Sequence, residues 1–558
     1  MPVFPILPEH VYLWIADRRV KRFVREARTA HVLQRELLFR KLRRNAASDF
    51  GRVHGFASVR SVEEYRRQVP IAGYERFRPY IDRVMRGDVG ALFGPDTKLL
   101  MFALTSGSTG EAKHIPVTQE FFDEYRRSWK NWGIRAYVDH LEIANRRVIQ
   151  LTSDWRQSYS ASGVPCGNMS GLTAETAPRI SRPLFLLPRT IWRIDDYAAK
   201  QYAILRLTLP SRRVGIIMTA NPSTLIGLAQ AGERFREDLI RDLHDGGISA
   251  KFEIPPDVRA ALRWRTALRH RRRARQLAQI VERTGHLHPR DYWTKLAVLA
   301  VWTGGSMGAY LPRLRDYYGE AAALRDHGLT ASEGRMTIPL ADGDSAGVLD
   351  YTSHYYEFIP EEEYGRPTPA VLEAHEMTPG RCYYIVLTTS GGLYRYDIQD
   401  LVRCVGFEGT APLLEFLNKG SAFSSVAGEK LSEFQVVEAV RAALGELQLS
   451  LDLFTVAPQW GDPPGYVLLV EPAESAAVRE EELARSIDAH LGRLNFEYAQ
   501  RLESGRLRPL AVRTIPAGTW AAFRDARLAQ RGGSLEQYKH PCLANDVKFA
   551  ERLLGKCE

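Results

Sequence analysis

Apolar residues recur at three- and four-residue spacing over 8–50, the pattern of long amphipathic helices, and a polar stretch from Asn45 to Gly51 ends them. Ser61, with Glu64 three positions on, opens a short helix predicted to end near Gln68, and a further segment runs from Pro70 to Asp88. The unbroken apolar run 99–104 reads as a short buried strand. Residues 115–118 form the return run, and Thr118 is placed to cap a helix starting near Gln119. From 145 to 350, β-rich runs at 148–152, 214–219 and 296–302 alternate with helical runs at 222–230 and 233–244. Such alternation predicts α/β layering. Runs at 383–388 and 401–405 predict strands of a later, more antiparallel sheet. Composition changes near 415–425, where Asn418, Lys419, Gly420 and Ser421 form a polar stretch. Beyond it the pattern predicts a helix (431–444), two strands (451–456, 466–470), a helix (480–494) and a strand (510–515), a small α+β unit. The expected organisation is a large α/β domain over 1–417, a hinge at 418–421 and a smaller domain over 422–558.

A chain of 558 residues is too long for one core, which agrees with that division. No apolar run approaches the ~18 residues that span a bilayer, and the N-terminal residues lack the basic start and small-residue cleavage site of a secretory signal. Five cysteines, an odd number without close pairs, read as reduced thiols in a cytoplasmic protein, with Cys542 and Cys557 expected to be exposed. The net charge of +10 is concentrated over 259–275, where arginines fall at helical spacing. A nucleic-acid surface is one reading. No recognisable binding module accompanies the run, so a solvated arginine face is the preferred one.

The richest candidate chemistry lies in Thr105, Ser106, Gly107, Ser108, Thr109 and Gly110, which run into Lys113. Glycine lets backbone N–H groups turn toward an anion without a Cβ in the way. The hydroxyls add donors and Lys113 adds a point charge, as a polyphosphate requires. The spacing is neither that of a Walker A loop nor that of a dinucleotide-binding Gly-x-Gly-x-x-Gly turn. An ordinary Ser/Gly surface loop is the plain alternative. A second glycine turn, Gly304-Gly305-Ser306, follows the apolar run 296–302. Thr330, Ala331, Ser332 and Glu333 offer a carboxylate after small residues, suited to a magnesium ion or to a helix N-cap. Asp400 could accept both hydroxyls of a ribose, or sit in an exposed strand. Lys430 opens the small unit, and Lys539 lies near the C-terminus within Gln537-Tyr538-Lys539-His540-Pro541-Cys542.

Together these segments resemble the acyl-adenylate-forming enzymes, and most closely their GH3 branch of acyl acid amido synthetases; Ile115-Pro116-Val117-Thr118, Asn221-Pro222-Ser223 and Tyr355-Tyr356-Glu357-Phe358 extend the resemblance over nearly the whole chain. The resemblance implies a layered α/β adenylation domain with a small mobile C-terminal domain. It implies ATP held at residues 105–113, Mg²⁺ on Glu333, the nucleotide against 330–332, and the ribose on Asp400. Lys539 would then reach the α-phosphate, and Lys430 would join the site after the small domain rotates. The implied reaction adenylates a carboxylic acid and passes the acyl group to an amine or amino acid, in a monomer that needs neither nucleic acid nor membrane. Three residues depart from the family pattern: Leu329 stands where a tyrosine stacks on adenine, Gln399 replaces the glycine of Tyr-Arg-x-x-x-Gly-Asp, and Cys542 replaces an arginine. A CoA ligase sharing the first step, or a nucleotide-binding scaffold with a decayed site, are the alternatives. The pocket for the acid is expected among 150–175, 222–230 and 302–308, where Trp155, Met169 and Trp302 are available.

Overall fold

The computed structural model describes residues 9–106, 112–177, 179–420, 423–427, 429, 431–471, 480–531 and 538–555. Three sheets organise the N-terminal part. Four parallel strands, Arg147–Gln150, Val214–Met218, Val298–Ala300 and Ala323–Arg325, lie side by side in that order. They are apolar on both faces because helices cover both. Ile149, Ile217 and Leu299 point into a core formed with the helices Tyr197–Thr208 and Pro222–Arg234. The alternate residues Val148, Ile216 and Val298 point the other way, toward Phe23 and Trp132.

A seven-stranded antiparallel sheet follows, with Ala411–Lys419, Tyr396–Glu408 and Cys382–Thr388 at its centre. Leu99–Ser106 pairs antiparallel with Ala112–Thr118 and parallel with Pro165–Gly167 in a third sheet. One core joins these two sheets, from Phe102 and Ile115 to Tyr356 and Ile385. Thr118 caps the helix Gln119–Asp139 by accepting from the Phe121 N–H at 3.1 Å.

The C-terminal part packs the helices Glu433–Leu447 and Glu480–Leu494 on the strands Phe454–Gln459, Gly465–Val470 and Ala511–Thr514. Val436, Val440, Leu468 and Ile487 form its separate core. Ser432 and Gln435 close a capping box, so the first helix begins two residues later than the pattern predicts, after the short strand Leu431–Ser432.

Other expectations change. The arginine-rich run is not one helix but two, Pro256–Thr266 and Arg271–Thr284, and its face is not wholly solvated. Arg273 is buried, with its guanidinium donating to Leu209 O and Tyr292 O. Cys542 is buried, at 2% exposure, rather than exposed. Its segment bridges to Phe454–Gln459 through Val456 N–H to Cys542 O and Ala544 N–H to Val456 O, both 2.8 Å, which draws the thiol into the core. Cys557 lies outside the described residues. Asn418 and Lys419 continue the strand Ala411–Lys419, and Asn418 is buried.

Candidate active site

Thr105 stands opposite Lys113 in the Leu99–Ser106/Ala112–Thr118 register. The backbone therefore brings the ends of the glycine-rich segment to one sheet end. Gly107, Ser108, Thr109 and Gly110 lie outside the described residues, as do the side chains of Thr105, Ser106 and Ser306 and the whole of Lys430. The Lys113 ammonium lies 5.5 Å from the centroid of the Tyr74 ring. Burial lowers its pKa and the nearby Lys419 lowers it further, while Glu333 opposes both.

Thr330–Ala331 and Gly334–Arg335 form a tight antiparallel hairpin rather than a helix start. Ser332 Oγ donates to Leu104 O at 3.3 Å, which fixes the hairpin against the strand leading into the glycine-rich segment. Thr330 Oγ1 donates within the turn to Gly328 O at 3.3 Å, and Ala331 packs on the main core. Glu333, 4% exposed, accepts one long bond of 3.4 Å from Tyr396 Oη. Burial and Glu333 itself raise the Tyr396 pKa, so the phenol stays a neutral donor. Gly334 is required here. A Cβ would lie 2.3 Å from His354 Nε2.

Asp400 lies on the long strand Tyr396–Glu408, opposite Lys419. The Lys419 ammonium is 3.8 Å from Asp400 Oδ1. At 6% exposure, burial lifts the Asp400 pKa to about 6; Lys419 and Lys539 pull it down, while Glu333 and Asp397 push it up. The turn before it is held by Arg395, whose Nε donates to Glu357 Oε2 at 2.8 Å and Nη1 to Val69 O at 2.9 Å. Gln399 has φ of 64°, the left-handed conformation. The position that holds a glycine in the resembled motif therefore needs a glycine's backbone here too.

Lys539 arrives from the C-terminal part. Asn221 Nδ2 donates to Tyr538 O at 2.7 Å, while Asn221 Oδ1 caps the helix Pro222–Arg234 through Ser223 N–H at 3.0 Å. The Lys539 ammonium lies 4.8 Å from the Trp302 ring centroid, a cation–π distance. Water reaches this side chain, yet protein surrounds the cleft, and that desolvation lowers the ammonium pKa; Asp400 raises it in opposition. Trp302 Nε1 donates to Gly328 O at 3.1 Å, tying the platform to the hairpin's root. The adjacent His540 is a packing residue, its ring edge-on to Trp520.

The cleft thus gathers Lys113, Lys419 and Lys539 around Glu333, Asp400 and Asp397. Gly304 and Gly305 stand behind it. A Cβ on Gly305, at φ of 56°, would lie 2.7 Å from Leu417 O, so these glycines let the turn press on the strand that ends in Lys419. Met169 is buried in the main core, and Trp155 packs against the same core with the Arg156 guanidinium 4.3 Å from its ring centroid. Sequence reasoning passed over Lys419, Tyr396 and Asn221 as site residues. The Asn-Pro helix start was a visible signal for Asn221. The strand register that sets Lys419 opposite Asp400 left no such mark.

Three oxygen-rich groups facing three cations suit an extended polyanion together with a divalent cation: among the described residues the carboxylates of Glu333 and Asp400 carry few internal hydrogen bonds, and the lysines supply countercharge on separate elements. The GH3 family N-terminal domain matches residues 19–323, the central domain 347–419 and the C-terminal domain 434–548. An indole-3-acetic acid-amido synthetase of Arabidopsis thaliana, GH3.3, is 23% identical over 96% of this chain and 93% of its own length. A jasmonoyl–L-amino acid synthetase of Oryza sativa subsp. japonica, GH3.5, is 25% identical over 95% of both. Among solved structures, the GH3.15 acyl acid amido synthetase superposes with a TM-score of 0.82 at 22% identity, covering 96% of this chain and 95% of that one. No described helix is long and apolar enough to cross a membrane.

Proposed function

The chain belongs to the GH3 family, and from that premise we propose that it is an ATP-dependent ligase that adenylates a carboxylic acid and passes the acyl group to an amine or amino acid. The observation that carries this reading is that Lys539, from the C-terminal part, faces Asp400, which in turn faces Glu333 on a separate element of the N-terminal part. A carboxylate does not react with an amine at neutral pH, since its leaving group would be oxide. Transfer of AMP to the acid, with loss of pyrophosphate, gives a mixed anhydride whose leaving group is AMP. Attack by the amine then forms the amide and releases AMP.

The chain's own groups supply positioning and charge. The segment 105–110 and Lys113 hold the β- and γ-phosphates. Residues 330–332 line the nucleotide, and Asp400, ionised above about pH 6, accepts from the ribose hydroxyls. Lys539 neutralises charge at the α-phosphorus, and Trp302 fixes its approach. Glu333 is the residue to hold Mg²⁺, which when bound neutralises phosphate charge. Rotation of residues 422–558 about 418–421 then exchanges Lys539 for a face that includes Lys430, and closure keeps water from the anhydride. One relative is named for amides of indole-3-acetic acid and another for joining a jasmonoyl group to an L-amino acid, and the class alone carries over. The proposed ligase works as a cytoplasmic monomer.

The test is product analysis: purified protein with ATP, a panel of carboxylic acids, and either amino acids or CoA, read by mass spectrometry. An amide formed with stoichiometric AMP supports the reading. A thioester, or ADP in place of AMP, contradicts it.

A further inference from the structure

The arginine-rich run takes no part in the cleft. Its two helices meet at residues 267–270, where the helix Arg271–Thr284 begins without a side-chain cap. Around this start lies a cavity of about 730 Å³, lined by Arg212, Arg269, His270, Arg271, Arg272 and Arg273. Among the described residues none of the five arginines forms an ion pair with a carboxylate. Arg269 donates to Asp245 O at 2.9 Å. Arg273, only 6% exposed, is met by neutral acceptors alone: Leu209 O and Tyr292 O at 2.8 Å and Gln276 Oε1 at 2.9 Å. The acid at the rim, Asp245, is exposed and engaged by His244 Nδ1 at 2.7 Å; His244 lowers its pKa most, and Arg269 and Arg271 add to that, so it offsets only the outer edge of the cluster.

Five like charges gather around one concave space; Arg212, Arg269, Arg271 and Arg272 are exposed and hydrated, and only Arg273 carries the cost of removal from water. Burial and Arg212 lower the Arg273 pKa to about 10, a further sign that no anion of the protein compensates it. A ligand that repays this must be strongly anionic and must accept many N–H donors at once. Guanidinium forks match phosphate oxygens, and uncapped N–H groups at a helix start favour the same charge.

We propose that this cavity binds a small polyphosphate, an anion carrying two or more linked phosphate groups. A single phosphate would leave most of the positive charge uncompensated, whereas linked phosphates can bridge Arg212 on one connection and Arg271 and Arg272 on the helix start. The arginines line a concavity with a buried member at its base, which suits a compact ligand better than a nucleic-acid strand laid across an open face.

The experiment is calorimetric titration of the whole protein with inorganic tripolyphosphate, in magnesium-free buffer near physiological salt. Arg271 and Arg272 are exposed and their side chains form no hydrogen bond among the described residues, so Arg271→Ser/Arg272→Ser keeps the fold, as circular dichroism checks; Arg212→Ser probes the opposite wall. Lys113→Ala separates out any binding in the cleft. Both arginine variants should weaken one binding event by about tenfold or more, as the loss of charge-assisted phosphate contacts implies, while Lys113→Ala leaves that event unchanged. Binding unchanged in both arginine variants overturns the proposal. So does a single-stranded oligonucleotide that competes at lower concentration than tripolyphosphate, since the surface would then be a nucleic-acid site. Neither result bears on the ligase reading, which rests on the cleft.

Discussion

Asp400 shows how a proposed binding group is set against stability. Its folded-state pKa, about 6, lies above the ordinary carboxylate value of about 3.9, so the folded protein holds this proton more tightly than the unfolded chain does. The stability this contributes is fully present below about pH 4 and is lost as the pH rises through 6. Asp400→Asn should therefore stabilise the protein by roughly 3 kcal/mol at pH 8, the gain shrinking between pH 6 and 4, while nucleotide binding falls. Urea unfolding at the two pH values, beside ATP titration, checks both halves. Gln399 is the complementary case. A side chain held at φ of 64° costs about 1 kcal/mol or more, so Gln399→Gly should raise stability by up to about 1 kcal/mol and leave binding intact. The sequence marked Gln399 as a departure from a glycine position, and the backbone gives the physical reason that position favours glycine. Cys542 went the other way: its place near the chain end suggested exposure, and only the bridge to Val456 reveals a core residue.

At the level of elements, periodicity made the parallel sheet and its helices legible, because strands buried on both faces leave unbroken apolar runs. The hairpin at 330–335 was not legible: two-residue strands carry no period, and Ser332 before Glu333 imitates a helix cap. That hairpin positions Glu333 through a close approach, so Gly334→Ala should cost roughly 1–3 kcal/mol from overpacking on His354 and move the carboxylate. The expected readout is a lower unfolding midpoint with a still larger loss of activity; an unchanged midpoint would mean the hairpin yields freely. At the helix Pro222–Arg234, Asn221→Ser keeps a neutral capping oxygen but is too short to donate to Tyr538 O. Adenylation should fall roughly tenfold, the value of one good hydrogen bond, with little change in melting temperature. Equal loss of stability and activity would instead assign Asn221 to the cap alone.

At the scale of the whole molecule, two separately cored parts share one cleft, and in the proposed ligase the lysine carried by the smaller part serves the first half-reaction. The arrangement draws one cleft from residues as far apart along the chain as Lys113 and Lys539. It also explains why order along the sequence could announce the motifs without showing how Lys113, Lys419 and Lys539 divide the charge among three elements. The most direct measurement is carboxylic-acid-dependent exchange of labelled pyrophosphate into ATP, without any amine, in the parent protein and in Lys539→Ala. The account predicts exchange that requires the acid and that falls by about 100-fold or more in the variant, as removal of charge stabilisation at the reacting phosphorus implies. Exchange that no acid elicits, or that survives the loss of Lys539 undiminished, would contradict it.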